Sequence, residues 1–490
     1  MKFMKRFTIG LLILVSIGAL AIGFVQAADK PKAGAAKDQP PLVKITLTPA
    51  AEPVPALKYR LQPQLTERKP GNAAVFYNKI ALQWAERHDK IELAEQFHKW
   101  LELPLNELAE KAPEAEKKLE TVRQILDDLD LAARRQDCDW QLPITERNVF
   151  SLLIPEIQGM RHFGRLVSLR SRLLILAGKY DDAIRSLTTG YMLGRHVAQG
   201  PTLINGLVGI AICTTTSQDV QSLVQRPDAP NLYWALTSLP RPLIDLKPGI
   251  EAEAEFLFFS FPELRNVDQP GYGVEYWQSF LDRLIEKESP AFGLLEPQAT
   301  WRPVFAYYGL RCYPVARAAM IAKGRTAAEV DAMPVAQVVL SHEMGIYTEF
   351  RDDMFKWFTL PYYEARDGMQ KVEQRFKTEI RQRENIPIAS LLLPAITKAT
   401  FAAARNDRDI AMLRTLEALR LHAAKNDGKL PEKLSDVSIV PVPNDPIHGT
   451  AFRYTKSADS AKLESPPPAE NPIPSNGKRL EIKVSGRANP

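Results

Sequence analysis

Three glutamates alternate in the stretch EAEAE, as Glu251, Glu253 and Glu255. Paired carboxylates are the usual means of acid–base catalysis and of holding a divalent cation. On a helix Glu251 and Glu255 share a face while Glu253 points elsewhere. An acidic first turn favoured by the helix macrodipole explains the same pattern without chemistry, and is the simpler reading. Downstream, RDDMFKWF sets Asp352 and Asp353 beside Phe355, Trp357 and Phe358. Such rings stack on sugars in some proteins and fill cores in many more.

The stretch SHEMG carries His342-Glu343, the opening of the zinc-peptidase pattern H-E-x-x-H. That pattern needs a second imidazole one helical turn on, so that both reach one metal from the same face. The position holds Ile346, and the motif fails. The seven histidines contain no pair at helical spacing, and Cys138, Cys213 and Cys312 have no CxxC partner. No G-x-S-x-G elbow and no phosphate-loop glycine pattern is present. Catalytic residues are therefore unassigned, and no cofactor-binding or metal-ligating set is expected. An enzymatic role is left open, with the balance against it.

Formal net charge is +5, yet Lys2, Lys5 and Arg6 supply three of those positives within the first 27 residues. The remainder is close to neutral and has no concentrated basic run, which argues against a nucleic-acid partner. The opening MKFMKRFTIGLLILVSIGALAIGFVQA has a basic start, an apolar stretch and a small-residue end at Ala27. This is the anatomy of a signal peptide, with an uncleaved signal anchor as the alternative. Membrane attachment is expected only through that segment.

The elements that would position any site are mostly helical. Residues 28–70, rich in Ala, Pro and Lys at their start, read as an extended linker. A helical body is expected over 71–395, where apolar residues recur at three- and four-residue steps and Pro104 and Pro113 mark breaks. RLLILAGKYDDAIRSLTTGYMLGRHVAQG has the pattern of a tetratricopeptide-like hairpin, with Ala177-Gly178 closing one helix and Tyr180 opening the next. GPTLINGLVGIAICTTTSQDVQSLV is apolar nearly all round and should be a central buried helix, with Gly206 and Gly209 admitting close neighbours. Thr326 and Glu329 have capping-box spacing. Over 396–490 a long helix, its charges suited to an exposed face, stops at Asn426-Asp427-Gly428. A small β module follows, with a strand at Phe452–Tyr454, a possible partner in RLEIKV and a Pro-rich loop between. The fold class is mainly α: an irregular, partly tetratricopeptide-like body with a small C-terminal α+β module.

Helix, DGKLP, then Asp445, Pro446, Gly449, Phe452 and Tyr454 resemble the C-terminal half of the type II secretion major pseudopilins over about 60 residues. The resemblance implies a helix running into a small sheet, and calcium near Asp445. The N-terminus lacks the prepilin cleavage pattern. Across most of the mature chain, CDWQLP, AGKYDDAIRSLTTG, GPTLINGLVGIAI, APNLYWALTSLPRPLIDL and DGKLPEKLSDV resemble a family of exported bacterial helical proteins, which implies no activity. The expectation is an exported protein of the periplasm or envelope that acts through an unidentified protein partner. A hydrolase of envelope polymers, working through dispersed carboxylates, is the alternative.

Overall fold

A computed structural model describes residues 39–145, 155–288, 301–382 and 393–485. The predicted signal segment and the start of the predicted linker lie outside them. The chain forms two compact units, the larger from the described residues of Ala28–Gln141, Ile154–Pro248 and Phe401–Pro490, the smaller from those of Leu142–Leu153 and Gly249–Thr400. Each unit draws on segments distant in sequence. The fold is mainly helical with a small C-terminal sheet, as the periodicity indicates.

The larger unit is organised by three helices, α5 (Pro155–Leu176), α6 (Tyr180–Ala198) and α7 (Leu203–Val224). Gly178, at φ +70°, reverses the chain between α5 and α6, and Lys179 N–H returns to the Leu174 carbonyl at 3.0 Å. Ala177 is exposed and plays no part in close packing. The close approach lies between α6 and α7 instead. A Cβ on Gly209 would stand 2.4 Å from the Gly194 carbonyl oxygen, so the two backbones touch. Thr202 caps α7 by accepting from Asn205 N–H at 3.2 Å, and α7 is buried along nearly all its length, as its composition predicts.

Four shorter helices flank the three: α1 (Ala74–Glu86), α2 (Lys90–Glu102), α3 (Leu105–Glu120) and α4 (Arg123–Ala133). Pro104 precedes α3 as expected, but Pro113 lies inside it. It is tolerated because it faces solvent, where water can take the carbonyl that its missing N–H leaves unpaired. A short helix, α8 (Tyr233–Thr237), follows α7.

Part of the expected linker belongs to the fold. β1 (Leu42–Leu47) pairs in parallel with the last strand, β6 (Lys478–Val484), with Ile45 opposite Ile482, and Leu61 is fully buried. Period-two burial of Ile45 and Leu47 makes this a strand. The sheet order is β1-β6-β5-β4, where β4 is Arg453–Lys456 and β5 Ser460–Ser465. RLEIKV therefore pairs with β5 and β1, not with the strand at Arg453. A parallel pair of short strands, β2 (Lys69–Asn72) and β3 (Arg135–Asp137), was not evident from alternation.

The smaller unit contains α9 (Lys247–Ser260) from Gly249 on, α10 (Val274–Glu288), α11 (Trp301–Ala322), α12 (Ala327–Asp331), α13 (Val335–Phe355) and α14 (Tyr362–Gln382). Thr326 and Glu329 form the expected capping box on α12. Cys312, Ala316 and Met320 of α11 pack with Val338 and Val339 of α13. Trp357 lies across Gly368 of α14, where a Cβ would meet its ring at 2.3 Å. Phe355, Trp357 and Phe358 are half-buried in this packing.

Candidate functional site

The largest set of buried charged side chains on one helix among the described residues is in the larger unit. It lies on the last helix, α15 (Leu393–Lys425), from Phe401 on. Its charges, expected on an exposed face, point inward: Arg408, Arg414, Glu417 and Arg420 are each less than 8% exposed. Leu413, Leu416 and Leu419 are buried beside them, so the helix is enclosed on most sides.

Each cation is matched. Arg408 donates Nη1 to the Asn476 carbonyl at 2.7 Å, and its neighbour Asp409 pairs with Lys478 at 3.0 Å. Burial opposes ionisation of Asp409, yet Lys478 and Arg408 together hold its carboxyl below the usual range. Arg414 donates Nε to Thr237 Oγ1 at 2.9 Å and lies over the Tyr233 ring. Arg420 pairs with Glu417 at 3.0 Å and donates to the carbonyls of Thr48 (2.9 Å), Ala229 (2.6 Å) and Pro230 (3.3 Å). One guanidinium thus joins the chain after β1, the loop after α7 and α15. Asp407 accepts Leu243 N–H at 2.9 Å, and burial pushes its carboxyl up to about 6.

Two further polar knots sit among α1 and α5–α7. His196 is fully buried, its Nδ1 2.9 Å from the Tyr77 hydroxyl, and Trp140 donates Nε1 to the His196 carbonyl at 2.9 Å. Tyr77 and Trp140 are stacked at 5.7 Å. Burial, then the nearby Arg195, pushes the imidazole down to about 4, so it is neutral at ordinary pH. Asp219 on α7 is buried near Ser168 and Arg172, and burial drives its carboxyl up to about 7 against both of them. Arg172 donates Nη1 to the Leu101 carbonyl at 2.7 Å and Nη2 to that of Leu103.

The carboxylates singled out in the sequence lie in the smaller unit and meet in part. Glu255 pairs with Arg265 at 2.7 Å and with Arg351 at 3.8 Å, and Arg351 also holds Asp352 at 2.9 Å. The Phe258 ring has Arg265 at 5.1 Å and Arg351 at 5.8 Å. Tyr347 donates to the Ala254 carbonyl at 3.3 Å, and burial pushes its hydroxyl up to about 12. Glu253 is also close enough to act on Tyr347, while Glu251 is exposed one turn earlier. His342 is nine positions before Arg351 on α13, roughly 13 Å along the axis, so it is not brought to this cluster. Both carboxylates are thus engaged by arginine, Glu255 by Arg265 and Arg351 and Asp352 by Arg351.

Glu343 turns inward toward Tyr308 and Cys312; burial, then the Glu343 carboxylate, raises the Tyr308 hydroxyl far above its usual range. Asp445 is buried in its own turn, where Oδ1 accepts Ile447 N–H at 2.8 Å and Arg408 is a charged neighbour. A cation beside the carboxylate disfavours the calcium that the pseudopilin resemblance implies. The three cysteines are buried thiols. Among the described residues, no group of three or more His, Cys, Asp and Glu side chains is placed to hold a metal ion, and no helix is long and apolar enough to cross a membrane.

The α15 network escaped the sequence reading because a charge on a helix gives no sign of which way it faces. The one available signal was the failure of its apolar residues to gather on one side. No family model, curated protein or solved structure matches the chain.

Proposed function

We propose that this is an exported protein of the cell envelope that acts without catalysis, as a scaffold or interaction protein for another protein. The observation that carries this reading is the use made of Arg420, whose donors all go to main-chain carbonyls and to Glu417. The buried charges around it hold segments together and present no free acid, base or nucleophile to a substrate. The basic-then-apolar opening of the chain supports export, and the C-terminal likeness to pseudopilins agrees with an envelope setting.

Cross-linking in intact envelopes, followed by reconstitution with the purified partner, tests the proposal. A single partner binding saturably to the purified chain supports it. Release of soluble fragments from purified envelope polymer by the wild type, lost in Glu255→Gln or Asp352→Asn, overturns it in favour of a hydrolase. That second reading has one specific support, the meeting of Glu255 and Asp352 at Arg351. N-terminal sequencing of the mature chain separates a cleaved signal, starting at Ala28, from an anchor.

A further inference from the structure

Arg161, His162 and Arg165, on the second and third turns of α5, form a half-buried basic cluster. With about 100° per residue the three span roughly a 100° arc of the helix surface. Nε and Nη2 of Arg161 are shielded from solvent and have no hydrogen-bond acceptor among the described residues. These two donors form one edge of the guanidinium, the edge that matches two oxygens of an oxyanion. Elsewhere in this chain the same edge holds both oxygens of a carboxylate, as Arg87 does with Asp89 and Arg317 with Asp331.

At Arg161 no acid among the described residues plays that part. Burial lowers the affinity of all three groups for a proton, and the arginines add repulsion, Arg165 acting on Arg161 and both acting on His162. The buried acid of the adjoining helix, Asp219, acts instead on Arg172, about two turns further along α5. Two half-buried arginines side by side are unfavourable, and an anion would relieve both desolvation and repulsion. A Cβ on Gly159, one turn before His162, would meet nothing within 4 Å.

We propose that Arg161, His162 and Arg165 form a binding site for a phosphate-class oxyanion, either a soluble phosphate ester or the phosphodiester of a lipid headgroup. Arg161 offers its two-donor edge, while Arg165 and His162 approach from one turn along and from the side. A carboxylate is satisfied by one such edge, whereas a phosphate has further oxygens for the other two donors. The site is independent of the scaffold reading above.

The test is titration of the full chain with inorganic phosphate, at ionic strength held constant with chloride, followed by calorimetry and melting temperature. A saturable rise in melting temperature is expected. Arg161→Gln and Arg165→Gln should each weaken binding about tenfold. Arg185→Gln, an exposed arginine paired with Asp182, should leave binding unchanged. No saturable response in the wild type, or equal responses in wild type and Arg165→Gln, overturns the site. Because Arg165 is half-exposed, that variant serves even where Arg161→Gln fails to fold. Sedimentation with phosphatidylglycerol vesicles against phosphatidylcholine vesicles separates the sources. Arg165-dependent binding to the former indicates a headgroup, and phosphate binding alone indicates a soluble ester.

Discussion

Glu417 and Arg420, one helical turn apart on α15, pair at 3.0 Å with side-chain exposures of 0% and 1%. In so dry a setting each charge depends on the other, since desolvation of an unpaired ion exceeds what remaining contacts return. Arg420→Met strands Glu417 and frees three carbonyls, and should destabilise the larger unit by about 3–5 kcal/mol. The double variant with Glu417→Leu should lose less than the sum of the single variants. Urea unfolding of the four chains measures this; additive losses would show that the two residues act separately.

Asp219 links stability to pH. Its carboxyl is pushed up to about 7 by burial, so the folded chain holds this proton more tightly than the unfolded chain does. Its contribution is full below the unfolded pKa of about 3.9 and is lost as pH rises toward 7. Asp219→Asn should remove that slope and gain on the order of 4 kcal/mol above neutrality relative to wild type. Melting temperatures of both chains between mildly acidic and mildly alkaline pH decide the point; parallel curves would refute it.

The same substitution should have opposite effects on two helices of the larger unit. Gly209→Ala drives a methyl toward the Gly194 carbonyl and should cost about 1–3 kcal/mol or more. Gly159→Ala meets open space within α5 and should gain about 0.5–1 kcal/mol through helix propensity. Thermal unfolding reads both signs.

Asp445 is engaged as a turn cap. Asp445→Ala should lower stability by about 1 kcal/mol through loss of the Ile447 N–H acceptor. Chelation of calcium should leave the wild-type melting temperature unmoved. A fall on chelation, restored by calcium, would reinstate the ligand that the pseudopilin likeness implies.

Local signals suffice where their cause is local. Gly178 at φ +70° and Asp427-Gly428 at φ 52° and 79° reverse the chain where turn chemistry places them. Thr326 and Glu329 cap their helix because both partners lie within one turn. Of the candidate carboxylates, Glu255 and Asp352 come together through Arg351, 96 positions after Glu255, and nothing in EAEAE points to that partner.

By itself the sequence determined the helical class, the central buried α7, the helix stops at Gly178 and Gly428 and the strands at Arg453 and Lys478. Those follow from periodicity, glycine conformation and propensity, which act over a few residues. Only the tertiary structure decided that β1, 430 or more positions before β6, closes the sheet, and that α15 buries its charges. A buried charge is stable only when counter-ions and carbonyls satisfy it; Glu417 lies on the same helix as Arg420, but the carbonyls arrive from other segments. For Arg420 they come from Thr48, Ala229 and Pro230, and no local pattern encodes that meeting.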